Sequence, residues 1–276
     1  MREPVSITAV SAMTETNPAF VEASWFMPSA GKSPESMHKA RRIPTAVLFD
    51  IDEICEPTSG LPHMAPGSAL FARWLSVNGL TGSERFIVYD QNNYMASARV
   101  WWTLRRMGCD ARILDGGLQA WRKAGGEIHD GPPATRAPAF ERGIRLIRDD
   151  AVSWADVRYH MNRRDALIVD ARPAGRFAGT DPEPRPDLRS GHIPGSINLP
   201  FQSVIGADGK LLKEDALARV LPNTDKERRI ITTCGSGVTA AILYAAFIAG
   251  GFRDVRLYDG SWAEWGARED LPVEVG

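Results

Sequence analysis

The chain has only three cysteines in 276 residues, Cys55, Cys109 and Cys234. They cannot all pair, and none stands in a Cys-x-x-Cys spacing, so neither a disulfide scaffold nor a zinc or dithiol motif is expected. A reducing cytoplasm suits such thiols. An excess of one charge is also missing: 33 Lys and Arg face 34 Asp and Glu, and no basic block occurs. That leaves no electrostatic case for nucleic acid or an anionic membrane as partner. The longest apolar run, Ala240 to Phe252, is too short for a bilayer and is broken by Gly250 and Gly251. The first sixteen residues lack a basic stretch followed by an apolar core, so no secretory signal is expected. What is present is an ordinary globular composition, 43% hydrophobic and 24% charged. The length suits two domains of about 100–150 residues.

The chain is written twice. Phe86-Ile87-Val88-Tyr89-Asp90 opens a run that closes at Leu114-Asp115-Gly116-Gly117-Leu118-Gln119-Ala120-Trp121. Ile230 to Cys234 opens another that closes at Tyr258-Asp259-Gly260-Ser261-Trp262-Ala263-Glu264-Trp265. Asp90 to Asp115 and Cys234 to Asp259 are both 25 positions, so the register holds without a gap. Earlier in each half, Arg42-Ile43-Pro44-Thr45-Ala46 matches His192-Ile193-Pro194-Gly195-Ser196, and Val21-Glu22-Ala23 matches Val169-Asp170-Ala171. Short β-branched runs alternate with helical patterns such as Ala96 to Met107 and Asp215 to Val220, the rhythm of an α/β fold around mostly parallel sheets. Between the halves, His129 to Pro138 has the proline and glycine of a linker. The expected division is an N-terminal domain over 1–131, a linker over 132–146 and a C-terminal domain over 147–276.

The two copies differ at one point. Thr232-Thr233-Cys234-Gly235-Ser236-Gly237-Val238-Thr239-Ala240 places a thiol in a glycine-punctuated loop where a strand hands over to a helix. Unpaired amides and the positive end of the helix dipole favour a thiolate there, or a negative charge carried on it. Gly235 and Gly237 are expected to let the backbone curl so that its N–H groups face the sulfur. The other copy has Asp90 followed by the bulky Gln91-Asn92-Asn93-Tyr94-Met95. Cys55 and Cys109 have no such cradle and are expected to be structural thiols. Thiol phosphatases place an arginine six positions after the cysteine; that position here is Ala240, which excludes their oxyanion clamp.

These motifs together resemble the rhodanese-type sulfurtransferases, and within them the mercaptopyruvate branch. The resemblance runs from about Phe20 to the C-terminus and rests on Cys234 to Thr239, Gly191 to Ser196 and Tyr258 to Gly266. Phe49 to Asp52, Thr58 to Met64 and Glu183-Pro184-Arg185-Pro186 add to it. It implies two tandem rhodanese-like domains, each a mostly parallel sheet flanked by helices, the second one catalytic. Two departures stand out: Arg42 and Thr45 replace the family's usual histidine and glycine, and Met1 to Asn17 matches nothing.

The resemblance also implies a double displacement. Cys234 takes sulfur from 3-mercaptopyruvate, releases pyruvate, and passes the sulfur from a persulfide to cyanide, a thiol or thioredoxin. Ser236 corresponds to the family's proton-handling serine, with His63 and Asp52 as its partners. Gly235, Gly237, Val238 and Thr239 contribute the amides that would hold the persulfide, and Thr239 is expected to close the loop through its own hydrogen bonding. A substrate carboxylate calls for a fork of donors, which Arg185 and Arg189 in the irregular loop before His192 could offer. Asp170, His192, Asp259, Trp262 and Trp265 are expected to be scaffold. No cofactor or metal is implied, and a monomer is expected. The rival readings are a thiosulfate-using sulfurtransferase, favoured where basic residues follow the cysteine, and a non-catalytic interaction module.

Overall fold

The computed structural model describes residues 4–27, 30–92, 94–139 and 143–276. They form two compact units: Met1–Glu56, Ala65–Asp149 and Ala207–Lys210 in the first, Pro57–Met64, Asp150–Gly206 and Leu211–Gly276 in the second.

In the first unit β1 (Ser6–Ile7), β2 (Ala19–Glu22), β3 (Val47–Leu48), β4 (Arg85–Tyr89) and β5 (Asp110–Leu114) make a parallel sheet in the order β1-β5-β4-β2-β3. Its helices are α1 (Ala9–Met13), α2 (Pro34–Ala40), α3 (Ser68–Val77), α4 (Ser97–Arg106) and α5 (Gly117–Lys123). In the second, β6 (Ala151–Val152), β7 (Ala166–Asp170), β8 (Ile197–Asn198), β9 (Arg229–Thr233) and β10 (Val255–Tyr258) repeat that order as β6-β10-β9-β7-β8, again parallel. They are joined by α6 (Trp154–Arg163), α7 (Ala174–Ala178), α8 (Glu214–Val220), α9 (Ala240–Ala249) and α10 (Ser261–Trp265). The repeated register read in the sequence is therefore a repeated topology.

Burial explains the central strands. Phe86 to Tyr89 and Ile230 to Thr233 are buried, as a strand covered on both faces requires, and they read as continuous apolar or β-branched runs. Helix α9 is buried from Ala240 to Phe247, which is why it lacks a polar face. In each sheet the chain order reverses between the central strand and its neighbour, β4 and β2 or β9 and β7. The crevice for a ligand in such a sheet opens at the carboxyl ends of those strands.

Two expectations change in detail. Met1 to Asn17 was unmatched, yet its described part supplies β1 and α1. Val5 and Ile7 carbonyls accept from Ile113 and Asp115, and Thr8 caps α1 by accepting the Ser11 amide at 3.2 Å. The same device recurs in the second unit, where β6 leads to Ser153, the reciprocal cap of α6 with Asp156. The stretch 132–146, expected as a linker, falls within the first unit, apart from Phe140, Glu141 and Arg142, which lie outside the described residues. Arg42 donates to the Gly131 and Pro132 carbonyls at 2.6 and 3.1 Å, and the Ala139 amide donates to Ser76 at 3.1 Å. At the start of this stretch the Gly131 and Pro132 carbonyls are thus tied to the first unit.

The departure at Thr45 keeps the turn. Ala46 N donates to Ile43 O at 3.1 Å, as Ser196 N does to Ile193 O at 3.0 Å. Thr45 has φ 61° where Gly195 has φ 73°, so a β-branched residue carries left-handed strain at that turn.

Candidate active site

Strand β9 ends at Thr233; Cys234 follows it directly and leads into a bend over residues 235–237 and then α9. The residue is 2% exposed. Helix α10 grips this loop from behind. Trp262 N donates to Cys234 O at 2.9 Å, Ala263 N donates to Gly235 O at 2.8 Å, and Cys234 N donates to Ser261 Oγ at 3.2 Å. In a trans peptide the carbonyl and the following N–H point opposite ways. With the 234 and 235 carbonyls turned toward α10, the amides of Gly235 and Ser236 face away from it, on the open side of the loop. The start of α9 adds the positive end of its dipole, with the Ala241 and Ile242 amides already taken by Val238 O and Thr239 O.

The first unit shows what such a loop holds. Asp90 stands where Cys234 does, and Leu118 N donates to Asp90 O at 3.0 Å as Trp262 N does to Cys234 O. The Asp90 carboxylate turns back into its own loop and accepts the amides of Tyr94 at 3.1 Å, Ala96 at 3.4 Å and Ser97 at 3.1 Å. A loop of this geometry thus turns several amides onto the polar group carried by the residue after the central strand.

Ser236 and His63 are brought together within the second unit: Ser236 Oγ and His63 Nδ1 are 2.9 Å apart, and both residues are buried. His63 is held in left-handed backbone, φ 59°, a conformation a non-glycine side chain keeps only when its surroundings enforce it. Asp52 belongs to the first unit, where Oδ2 accepts the Trp25 indole N–H at 2.9 Å.

The glycines divide the work differently from the sequence reading. Gly237, at φ 76°, supplies the left-handed turn. Gly235 supplies space: a Cβ there would stand 3.0 Å from Arg176 Nη2. Val238 is buried, and Thr239 begins α9 without the side-chain hydrogen bond expected of it.

The arginine expectation needs correction. Arg189 donates from Nε to Gly266 O at 3.0 Å, from Nη1 to Leu271 O at 2.9 Å, and from Nη2 to Trp265 O at 3.0 Å and to Arg268 O. Four of its five N–H donors are spent on carbonyls, so it ties down the C-terminal turn and has little left for a substrate. Arg185 is half-buried in the loop after α7. The residue the sequence reading passed over is Arg176 on α7, beside Gly235. Its signal was position: α7 starts a few residues after β7 ends, on the crevice side of the reversal, with Gly175 and Gly179 on either side. Cys109, by contrast, is buried with its thiol pushed up to about 12 by desolvation, as a packing thiol should be. Trp262 and Trp265 donate their indole N–H groups to Arg189 O and Pro272 O, a scaffold role.

The rhodanese-like domain family matches residues 22–124 and again 153–268. The chain belongs to the rhodanese family. Among rhodanese relatives, a probable 3-mercaptopyruvate sulfurtransferase of Schizosaccharomyces pombe is 39% identical over 256 residues, 90% of this chain and 86% of that one. The 3-mercaptopyruvate sulfurtransferase of Escherichia coli K12 is 40% identical over 235 residues, 84% of this chain and 83% of that one. The crystal structure of the Tum1 protein from Saccharomyces cerevisiae superposes with a TM-score of 0.87 at 28% identity, covering 98% of this chain and 97% of that one. The two rhodanese matches each contain a central strand and its loop, leading one to Asp90 and the other to Cys234.

Proposed function

We propose that the chain is a sulfurtransferase that takes sulfur from 3-mercaptopyruvate onto Cys234. The Cys234 thiolate attacks the donor's sulfur, the S–C bond breaks, and its electron pair leaves as the enolate of pyruvate. The enolate takes a proton at carbon, and Cys234 keeps a persulfide. A thiophilic acceptor (cyanide, a small thiol or thioredoxin) then removes the outer sulfur and regenerates the thiolate. The observation that carries this reading is the loop at Cys234: its 234 and 235 carbonyls are anchored on α10, which turns the Gly235 and Ser236 amides to the opposite side. Ser236, bonded to His63, stands two residues from the sulfur and is the group we assign to the proton needed by the enolate. Arg176, and Arg185 from the adjoining loop, are the donors we assign to the carboxylate. None of the three cysteines is in a disulfide; we place the enzyme in a reducing cytoplasm, acting as a monomer.

Gly235 and Ser236 are neutral, so a dianionic donor gains nothing from them. Turnover should favour mercaptopyruvate over thiosulfate by roughly 10–1000-fold in kcat/KM, about 1.4–4 kcal/mol of transition-state discrimination. Mass spectrometry after donor treatment should find one added sulfur on the wild type and none on Cys234→Ser, whose activity falls roughly 10⁴-fold or more. Sulfur loading of Cys234→Ser, or preference for thiosulfate, would overturn the corresponding half of the assignment.

A further inference from the structure

Beside the cysteine loop, four charged side chains form one continuous chain of ion pairs. Arg172 donates from Nε and Nη2 to the Asp170 carboxylate at 2.7–3.1 Å, and from Nη1 to Glu183 Oε1 at 2.8 Å. Glu183 then takes Arg176 along one edge, Nη2 to Oε2 at 2.5 Å and Nε to Oε1 at 3.2 Å. The side chains of Asp170, Arg172 and Glu183 are 1–2% exposed, and that of Arg176 is 21% exposed. The Arg172 guanidinium also lies 4.3 Å over the ring of Trp262, the residue whose amide holds the Cys234 carbonyl. The network is therefore built into the same framework as the nucleophile.

Two guanidinium and two carboxylate groups cancel, so the buried part carries no uncompensated charge. That balance has a consequence for Arg176. A guanidinium offers two bidentate edges, one through Nε and Nη2 and one through Nη1 and Nη2. Glu183 occupies the first. Among the described residues Nη1 has no hydrogen-bond partner, so the second edge is left to a ligand, and its Nη2 stands next to Gly235. Glu183 thus lowers the net pull of Arg176 on any anion while fixing the plane in which the remaining edge lies. A planar carboxylate has one edge to offer and gains fully from a fixed plane; a tetrahedral oxyanion can present any of six edges and gains less.

We infer that Glu183 is a positioning residue that acts through Arg176, locking its open edge beside the Cys234 loop so that the site selects a planar carboxylate over other anions. The inference rests on the 2-oxo acid donor proposed above. Its test uses pyruvate and inorganic sulfate as competitive inhibitors, with Glu183→Asp and Glu183→Gln as variants. Glu183→Asp keeps every charge but moves the guanidinium; Glu183→Gln keeps the shape but removes the charge. Positioning predicts that both raise the Ki of pyruvate and the KM of mercaptopyruvate about tenfold, with kcat changed less than about threefold, while sulfate inhibits as well as before or better. In an Arg176→Gln background neither change should shift the pyruvate Ki further, because the residue through which Glu183 acts is gone. Tighter binding of both inhibitors in Glu183→Gln with a silent Glu183→Asp would make Glu183 a mere drain on charge. Equal weakening of both inhibitors would make it ordinary scaffold. Should Glu183→Gln fail to fold, the charge-conserving Glu183→Asp decides alone. Wild-type enzyme that does not turn over mercaptopyruvate would instead remove the donor assignment and leave the pyruvate and sulfate comparison standing.

Discussion

Asp90 and Cys234 directly follow equivalent strands, and the loops after them share a carbonyl anchor, yet the two units use the position in opposite ways. In the first, the residue's own carboxylate fills the cradle, and a pocket of about 300 Å³ beside it is lined by Arg41, Gln91 and Arg122. Gln91, at the place of Gly235, donates to the buried Glu22 carboxylate at 2.6 Å and accepts from Arg41 at 2.7 Å. Asn92, at the place of Ser236, donates to the Trp25 carbonyl. In the second, the cradle surrounds a thiol, Gly235 leaves room for a guanidinium, and Ser236 turns to a histidine. One copy satisfies its loop with internal hydrogen bonds; the other keeps donors for a ligand. A fold of this kind needs no new backbone to gain or lose chemistry, only a change in which side chains satisfy the loop.

The sharpest way to break the comparison is to strip the two residues at the second loop position. Ser236→Ala and His63→Ala should each lower kcat with mercaptopyruvate by roughly 10²–10⁴-fold, the span of a general acid or base. The double variant should lose little more, since groups that act as a unit are not additive. Asn92→Ala in the first unit should leave kcat within about twofold. Steady-state kinetics on the four proteins checks this, and multiplicative losses in the double variant would reduce His63 to a loop residue.

The next effect is on stability. Burial pushes the Asp90 carboxyl up from the usual carboxylate range, with the Ser97, Tyr94 and Ala96 hydrogen bonds only partly offsetting it. Because the folded state then binds a proton more tightly than the unfolded chain, the Asp90 contribution is most favourable at low pH. It falls as pH rises through the folded value, opposite to a salt-bridged carboxylate. Asp90→Ala removes that slope, and at neutral pH it leaves buried amides without an acceptor, at a cost of about 1–3 kcal/mol. Hydrogen exchange at the Tyr94, Ala96 and Ser97 amides, measured across pH, reads both effects. Unchanged protection in Asp90→Ala would mean that these amides find other partners and that the cradle comparison fails.

How much of this was legible in the sequence depended on whether the cause was local. The two sheets were legible because Phe86 to Asp90 and Ile230 to Cys234 keep a strict spacing to their second motifs, and because buried parallel strands read as apolar runs. Strand β1 was not, since two residues show no periodicity, and only pairing with Ile113 and Leu114 makes them a strand. The reactive loop was legible from its glycines, but their division of labour was not: Gly235 is needed for Arg176, a neighbour 59 positions earlier. Arg189 was misread for the same reason. Its fate is decided by carbonyls 76 to 82 positions downstream, and nothing in its own loop signals them. The pairing of His63 with Ser236 spans 173 positions and came from the family resemblance, not from any pattern in the residues.

The smallest effect tests the shared anchor itself. Ser261 and Gly117 hold equivalent places at the start of α10 and α5, with φ 51° and 55°. At Gly117 a Cβ would stand 2.4 Å from Asp90 O, so the first unit requires glycine. The second unit has made room for a serine, whose Oγ donates to Tyr258 O at 2.8 Å and accepts from Cys234 N at 3.2 Å. Ser261→Gly releases left-handed strain of about 1–2 kcal/mol but leaves the buried Cys234 N–H and Tyr258 carbonyl short of a partner, at a cost of about 1–3 kcal/mol, and the added freedom of the unfolded glycine costs about 0.5–1 kcal/mol. The balance is a small loss. Thermal or denaturant unfolding should therefore fall by about 1 kcal/mol, and kcat/KM should change by less than about threefold. The Cys234 carbonyl stays on the Trp262 amide, and the amides of Gly235 and Ser236 keep their direction. A large fall in kcat with unchanged stability would show instead that the Ser261 hydroxyl, through the Cys234 amide, sets the aim of the nucleophile, and the anchor would no longer be common to the two units.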